Sequence, residues 1–142
     1  MKTEVLVTGT FNIVHPGHVR LLEFAAQYGE VTVGINTDNY VQRKYGKNAL
    51  PLIDRSYVLE SISHVSKVIA FREDEPSKLI EKLKPKYYIK GPDYDLDELP
   101  ELKILRKIGA TVIIHPTGKE YNSSDLVKAL PKSAFNTFDK YS

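Results

Sequence analysis

The chain has 142 residues, with 20 Lys and Arg against 18 Asp and Glu, a net charge of +2. Its length suits one domain, at roughly 100–200 residues each, and 42% apolar with 27% charged residues is a globular composition. The charge excess is too small to suggest a nucleic-acid coat or a polybasic membrane anchor, and the absence of cysteine excludes disulfide scaffolds, Cys-ligated zinc, iron–sulfur clusters and thiol nucleophiles.

The first residues, MKTEVLVTGTF, are too short and too interrupted in apolarity for a signal peptide or a membrane span, so a cytoplasmic protein is expected. Glu4 to Thr8 is a β-branched run stopped by Gly9 and reads as a buried strand. Pro16 to Tyr28 follows with Val19, Leu22 and Ala26 at helical spacing; Pro16 suits a first turn and Gly29 a stop. Val31 to Ile35 is the second strand, and a short helix is predicted from Thr37 or Asp38. Lys44 to Leu52, with Gly, Asn and Pro, reads as a loop. Asp54 to Ser63 is helical, with Val58, Leu59 and Ile62 on one face; Val65 to Phe71 holds the third strand; Glu75 to Leu83 is a helix with Pro76 at its start. Lys86 to Lys90 is the fourth strand, closed by Gly91 and Pro92. Leu96 to Ile108 is a helix ended by Gly109, and Ala110 to His115 is the fifth strand. Ser123 or Ser124 can cap a last helix through Leu130, which Pro131 stops.

Strands alternating with helices predict an α/β fold: a single Rossmann-like domain over residues 1–130, its five-stranded parallel sheet covered by helices on both faces, with a tail at 131–142. Ligands on such sheets bind beyond the carboxyl ends of the strands. The predicted carboxyl ends carry Gly9-Thr10-Phe11-Asn12-Ile13-Val14-His15-Pro16-Gly17-His18, a strand, a Gly turn and a helix start with two histidines three apart. A helix N-terminus offers backbone N–H groups and a positive dipole end to phosphate, and two imidazoles can donate to phosphoryl oxygens as charge develops. Gly17 leaves room for a nucleotide. The plainer alternative makes His15 a helix cap and His18 a packed side chain. A metal reading of the pair lacks a Glu in the motif and a third ligand, so no metal ligand is assigned. Neither G-x-G-x-x-G nor G-x-x-x-x-G-K-[ST] is present, which sets aside a dinucleotide oxidoreductase and a P-loop kinase.

G-T-F-N-I-V-H-P-G-H resembles the signature of the small cytidylyltransferase-like nucleotidylyltransferases of the HxGH superfamily. GINTD (34–38), Asp54-Arg55, FREDEP (71–76), LIE (79–81) and KGPDY (90–94) extend the resemblance. The stretch from Phe71 to Tyr94 is similar to heptose-1-phosphate adenylyltransferase domains, whereas the opening G-T-F is nearer to glycerol-3-phosphate cytidylyltransferases. The resemblance implies transfer of a nucleotidyl group from an NTP, with Mg²⁺, to a phosphorylated small molecule, releasing pyrophosphate without a covalent enzyme intermediate. It implies that His15 and His18 steady the α- and β-phosphates and that Gly9, Thr10 and Phe11 line the nucleotide site. Lys44, with Lys47 as competitor, would reach the triphosphate, and Arg55 would contact substrate phosphate; a solvated lysine and a surface salt bridge are their alternatives. Lys90 would hold pyrophosphate or simply end its strand, Asp93 would read base or sugar or shape a turn, and Asp38 would cap a helix or touch ligand. Ser123 and Ser124 would serve the β- or γ-phosphate while capping. A homodimer is implied as well.

Two positions depart from the family. Asn12 stands where Asp is common, keeping the hydrogen-bonding shape without the charge. Lys119 to Ser124 (KEYNSS) replaces E-G-[IF]-S-T-T, and Thr117 stands where cytidylyltransferases often carry arginine, which leans towards ATP. The leading expectation is an adenylyl transfer to a sugar phosphate such as heptose 1-phosphate. The alternatives are a CTP-dependent enzyme acting on glycerol 3-phosphate or a similar alcohol phosphate, and a nucleotide-binding module without turnover. Phe135, Phe138 and Tyr141 suit docking of the tail on the body or on a second subunit, or an unordered tail.

Overall fold

The computed structural model of the chain describes residues 3–45, 50–72, 76–91 and 98–115. The elements run β1 (Glu4–Gly9), α1 (Pro16–Ala26), β2 (Glu30–Asn36), α2 (Asp38–Tyr45), α3 (Leu52–Glu60), β3 (Lys67–Phe71), α4 (Ser77–Leu83), β4 (Tyr87–Lys90), α5 (Leu102–Ile108) and β5 (Thr111–Ile114). The five strands form one sheet in the order β3-β2-β1-β4-β5, with every pairing parallel. β1 is central: Val5 pairs with Val31 on one side and Tyr87 on the other. The chain winds outwards from β1 to β3, then crosses to β4 and β5, so the strand order reverses between β1 and β4. That reversal opens the crevice where α/β sheets take ligands.

The period-2 alternation of β1 divides its side chains between two cores. Val5 and Val7 pack with Leu21, Leu22 and Ala25 of α1 and Leu59 of α3. Leu6 packs with Leu79 and Ile80 of α4, Tyr88 of β4 and Leu105 of α5. Helices therefore cover both faces, as the sequence predicts. Gly34 of β2 is small for a reason: a Cβ there would lie 2.8 Å from Leu79 Cδ2, so its absence lets α4 settle onto the sheet.

Several element boundaries differ from the predicted ones, those of α2, α3 and α5 among them. The predicted loop from Lys44 to Leu52 begins later, because α2 continues through Lys44 to Tyr45. In α2, the Val41 N–H donates to the Thr37 carbonyl and the Val41 side chain is buried. α3 starts at Leu52, because the Pro51 carbonyl accepts from the N–H groups of both Asp54 and Arg55. α5 starts at Leu102 rather than Leu96, with the preceding described residues in turns. The predicted last helix through Leu130 and the 131–142 tail lie outside the described residues.

Candidate active site

β1 ends at Gly9 and the chain turns sharply through Thr10 and Phe11. Phe11 has φ 51°, in the left-handed region that a bulky residue rarely enters. Such strain costs on the order of 1–3 kcal/mol and persists only where the surroundings over-determine it. Here the Phe11 ring is buried against Gly9, where a Cβ would meet it at 3.0 Å. The same ring lies 5.0 Å from the His18 ring, centroid to centroid.

His15 is the N-cap of α1, and its Nδ1 accepts from the Gly17 N–H at 3.1 Å and the His18 N–H at 3.4 Å. His18 returns the bond, its Nδ1 accepting from the His15 N–H at 3.2 Å. The two imidazoles serve in the reciprocal cap that Ser/Thr and Glu/Gln usually make. Their rings stack at 3.8 Å and 18°. Because each Nδ1 accepts a backbone proton, each neutral ring carries its own proton on Nε2. Burial first, then the neighbouring His15, push the His18 pKa down from 6.5 to about 4, with a hydrogen bond to the Ile13 backbone opposing. One expectation is corrected here. The N–H groups of Gly17 and His18 are not open to phosphate, since His15 Nδ1 takes both. The structure bears out the cap reading of His15 and engages His18 in the same cap, each through Nδ1, which leaves Nε2 as the protonated nitrogen of each neutral ring.

Arg55 is fully buried on α3. Its Nε donates to the Leu50 carbonyl at 2.8 Å, Nη1 to the carbonyls of Thr10 at 3.0 Å and Asn36 at 2.8 Å, and Nη2 to Asp38 Oδ1 at 2.8 Å. The fork joins the carboxyl ends of β1 and β2 to the start of α3. Where the sequence predicts a contact to substrate phosphate, the structure places the guanidinium on backbone carbonyls inside the fold. Asp38, open between cap and ligand, pairs with Arg55, which holds its carboxyl below the usual range. The Thr10 hydroxyl donates to Asn36 Oδ1 at 3.2 Å, closing the turn from the β2 side.

Lys90 is buried at the end of β4, its Nζ 3.8 Å from Glu101 Oε2. The Tyr88 hydroxyl donates to the same oxygen at 2.5 Å and lies 2.6 Å from Thr8 Oγ1. This network occupies the α4/α5 side of the sheet, opposite the histidines. Lys90 is thus engaged by a carboxylate where a phosphate contact was predicted, because the Glu101 carboxylate supplies the pairing a buried ammonium needs. Lys44 sits in the last turn of α2. Lys47, Asp93, Ser123 and Ser124 lie outside the described residues. Among those described, no group of three His, Asp or Glu could hold a metal ion, and no helix is long and apolar enough to cross a membrane. Sequence reasoning missed Asn36, Tyr88 and Glu101; the available signal for Asn36 and Tyr88 was a polar group within an otherwise apolar strand, and Glu101 carried none.

A turn strained at Phe11 and a stacked histidine cap lie at the carboxyl edge of a parallel sheet, beside the switch point where α/β proteins take ligands. The sequence profile of the cytidylyltransferase-like family matches residues 6–129, and the chain belongs to that family. It is thereby a nucleotidyltransferase. It is 37% identical over 127 residues to a D-beta-D-heptose 1-phosphate adenylyltransferase of Bordetella bronchiseptica, covering 87% of this chain and 78% of that protein. It is also 37% identical over 117 residues to the bifunctional protein HldE of Streptomyces coelicolor, covering 80% of this chain and 25% of that protein, so it spans about a quarter of that relative. The fold matches a solved lipopolysaccharide core biosynthesis protein of Thermoplasma volcanium with a TM-score of 0.69 at 22% identity, over 86% of this chain and all of that one.

Proposed function

We propose that the chain transfers an adenylyl group from ATP to a sugar phosphate such as heptose 1-phosphate, releasing pyrophosphate. The observation that carries the chemistry is the stacked His15–His18 pair at the carboxyl edge of β1. The Bordetella relative's name and the stretch from Phe71 to Tyr94 support the substrates. An acceptor phosphate oxygen attacks the α-phosphorus in line; that P–O bond forms as the bond to the α–β bridging oxygen breaks, and the electron pair leaves on pyrophosphate. The imidazoles of His15 and His18 are proposed as donors for the phosphoryl oxygens on which charge builds, His18 exchanging its hydrogen bond to the Ile13 backbone for one to the ligand. The cap sets the donating tautomer of each neutral ring, and burial favours the neutral form of His18. Mg²⁺ enters on the triphosphate as part of the substrate, since Mg²⁺ is commonly held by phosphates and few carboxylates. Lys44 is proposed to reach the triphosphate, and Asp93, Ser123 and Ser124 to complete the nucleotide site. Arg55 serves as a positioning residue for the turn. A cytosolic location is proposed in keeping with these substrates, and a homodimer in keeping with the exposed apolar face of α3.

The second reading, CTP with glycerol 3-phosphate, draws on the opening Gly9-Thr10-Phe11. The test is pyrophosphate release with Mg²⁺, ATP and CTP separately, against heptose 1-phosphate, glycerol 3-phosphate and hexose 1-phosphates. ATP with heptose 1-phosphate is expected to be the productive pair. His18→Ala should lower kcat by about 10²–10³, the scale of losing one transition-state donor. NTP binding without release from any pair would point to the silent nucleotide-binding module instead.

A further inference from the structure

We infer that Asn12 is a positioning residue for nucleotide binding, and that what it contributes is one acceptor oxygen. Its Oδ1 accepts from the Leu50 backbone N–H at 2.9 Å. A backbone N–H can only donate, so the atom facing it must be the carbonyl oxygen of the amide. The Leu50 carbonyl, on the same residue, accepts from Arg55 Nε at 2.8 Å, and Arg55 Nη1 donates to the Thr10 carbonyl at 3.0 Å. Thr10, Phe11, Asn12, Leu50 and Arg55 thus form a closed ring, covalent along 10–12 and hydrogen-bonded elsewhere. The ring encloses Phe11, the strained residue of the turn. Arg55 holds the turn from inside the fold. Asn12 holds it from the exposed side, one turn of chain before His15. Without the Asn12 bond the ring is open, and the strained turn is left to the Thr10 bonds and the packing of the Phe11 ring.

This inference rests on the nucleotidyl-transfer reading but depends on a smaller part of it, binding of an NTP beside the turn. The ring also explains how a carboxamide can stand at a position where a carboxylate would serve: the Leu50 N–H asks for an acceptor, not for a charge. The experiment compares the wild-type chain with Asn12→Ala and Asn12→Asp, using calorimetry with Mg·ATP and Mg·CTP, steady-state kinetics and thermal unfolding. Asn12→Ala is expected to weaken NTP binding and raise its KM about tenfold, within the hundredfold that a misplacement of about 1 Å can cost. Its kcat at saturating NTP should stay within about threefold of wild type, and Asn12→Asp should restore binding to within about threefold. Wild-type binding in Asn12→Ala, or equal loss in both variants, would overturn the inference. If the binding series behaves as expected while no acceptor yields pyrophosphate, the reaction assignment fails and the positioning role stands. If the wild-type chain binds no NTP, both fail.

Discussion

At the scale of single residues, the histidine pair shows how a helix cap can be built from groups that also titrate. A Ser or Asp at His15 would satisfy the same helix N–H groups but would leave no second donor aimed elsewhere. An imidazole has two nitrogens, so one can cap the backbone while the other is proposed to serve a ligand. The cost is protonation: a proton on Nδ1 would break the cap, and a charged ring would face a stacked neighbour. Burial and the His15 neighbour hold the His18 pKa down at about 4 against 6.5, which ties stability to pH with a definite sign. Between pH 4 and 6.5 the unfolded chain binds a proton at His18 that the folded chain does not. Stability therefore rises with pH across that window, is fully present above 6.5 and is lost as pH falls towards 4. A His18 ring-proton NMR titration is expected to give a midpoint near 4, and His18→Gln to flatten the stability slope over the same window. A midpoint near 6.5 would mean that the ring is neither desolvated nor locked in the cap.

At the scale of elements, Arg55 decides how β1, β2, α2 and α3 meet. One planar fork serves three carbonyls and the Asp38 carboxylate, a task that lysine, with a single nitrogen, cannot repeat. Arg55→Ala strands buried carbonyls and is expected to lower unfolding free energy by about 2–4 kcal/mol; Arg55→Lys should recover less than half, both measured by urea unfolding. Wild-type stability in Arg55→Ala with a raised substrate KM would return Arg55 to the phosphate-binding role predicted from sequence. The contrast shows what was legible. Val5, Leu6 and Val7 form an unbroken apolar run, and such a run means a strand covered on both faces, so the sheet could be read directly. His15 and His18 are close in sequence, so their shared helix start could be read as well. The partners of Arg55 lie up to 45 residues away. An Asp-Arg pair on an amphipathic helix carries no mark that its guanidinium turns inward. Lys90 is similar: its carboxylate partner, Glu101, comes from beyond the next connection, and only the β4–α5 packing brings them together.

At the scale of the molecule, the sheet keeps its two polar assemblies on opposite faces. The histidine turn and the Arg55 fork lie on the α1/α3 side, and Thr8, Tyr88, Lys90 and Glu101 on the α4/α5 side. α3 therefore faces two ways. Its inner residues, Arg55 and Leu59, are buried, while Ile53 and Tyr57, one helical turn apart, are 78% and 72% exposed, with Leu50 and Val58 beside them. Large apolar side chains gathered on one exposed helix face are a mark of an interaction surface. Among proposed partners a second copy fits, because the same face on both protomers would make a self-complementary two-fold contact. Such a contact would press on α3 directly outside the Arg55 fork, so assembly would brace the turn that carries the histidines. Light scattering is expected to give twice the mass of one chain, and Ile53→Glu with Tyr57→Ser to give the monomer mass with a weakened affinity for NTP. A monomeric wild-type mass would remove the dimer; a dimer untouched by the α3 changes would move its interface to another face of the sheet.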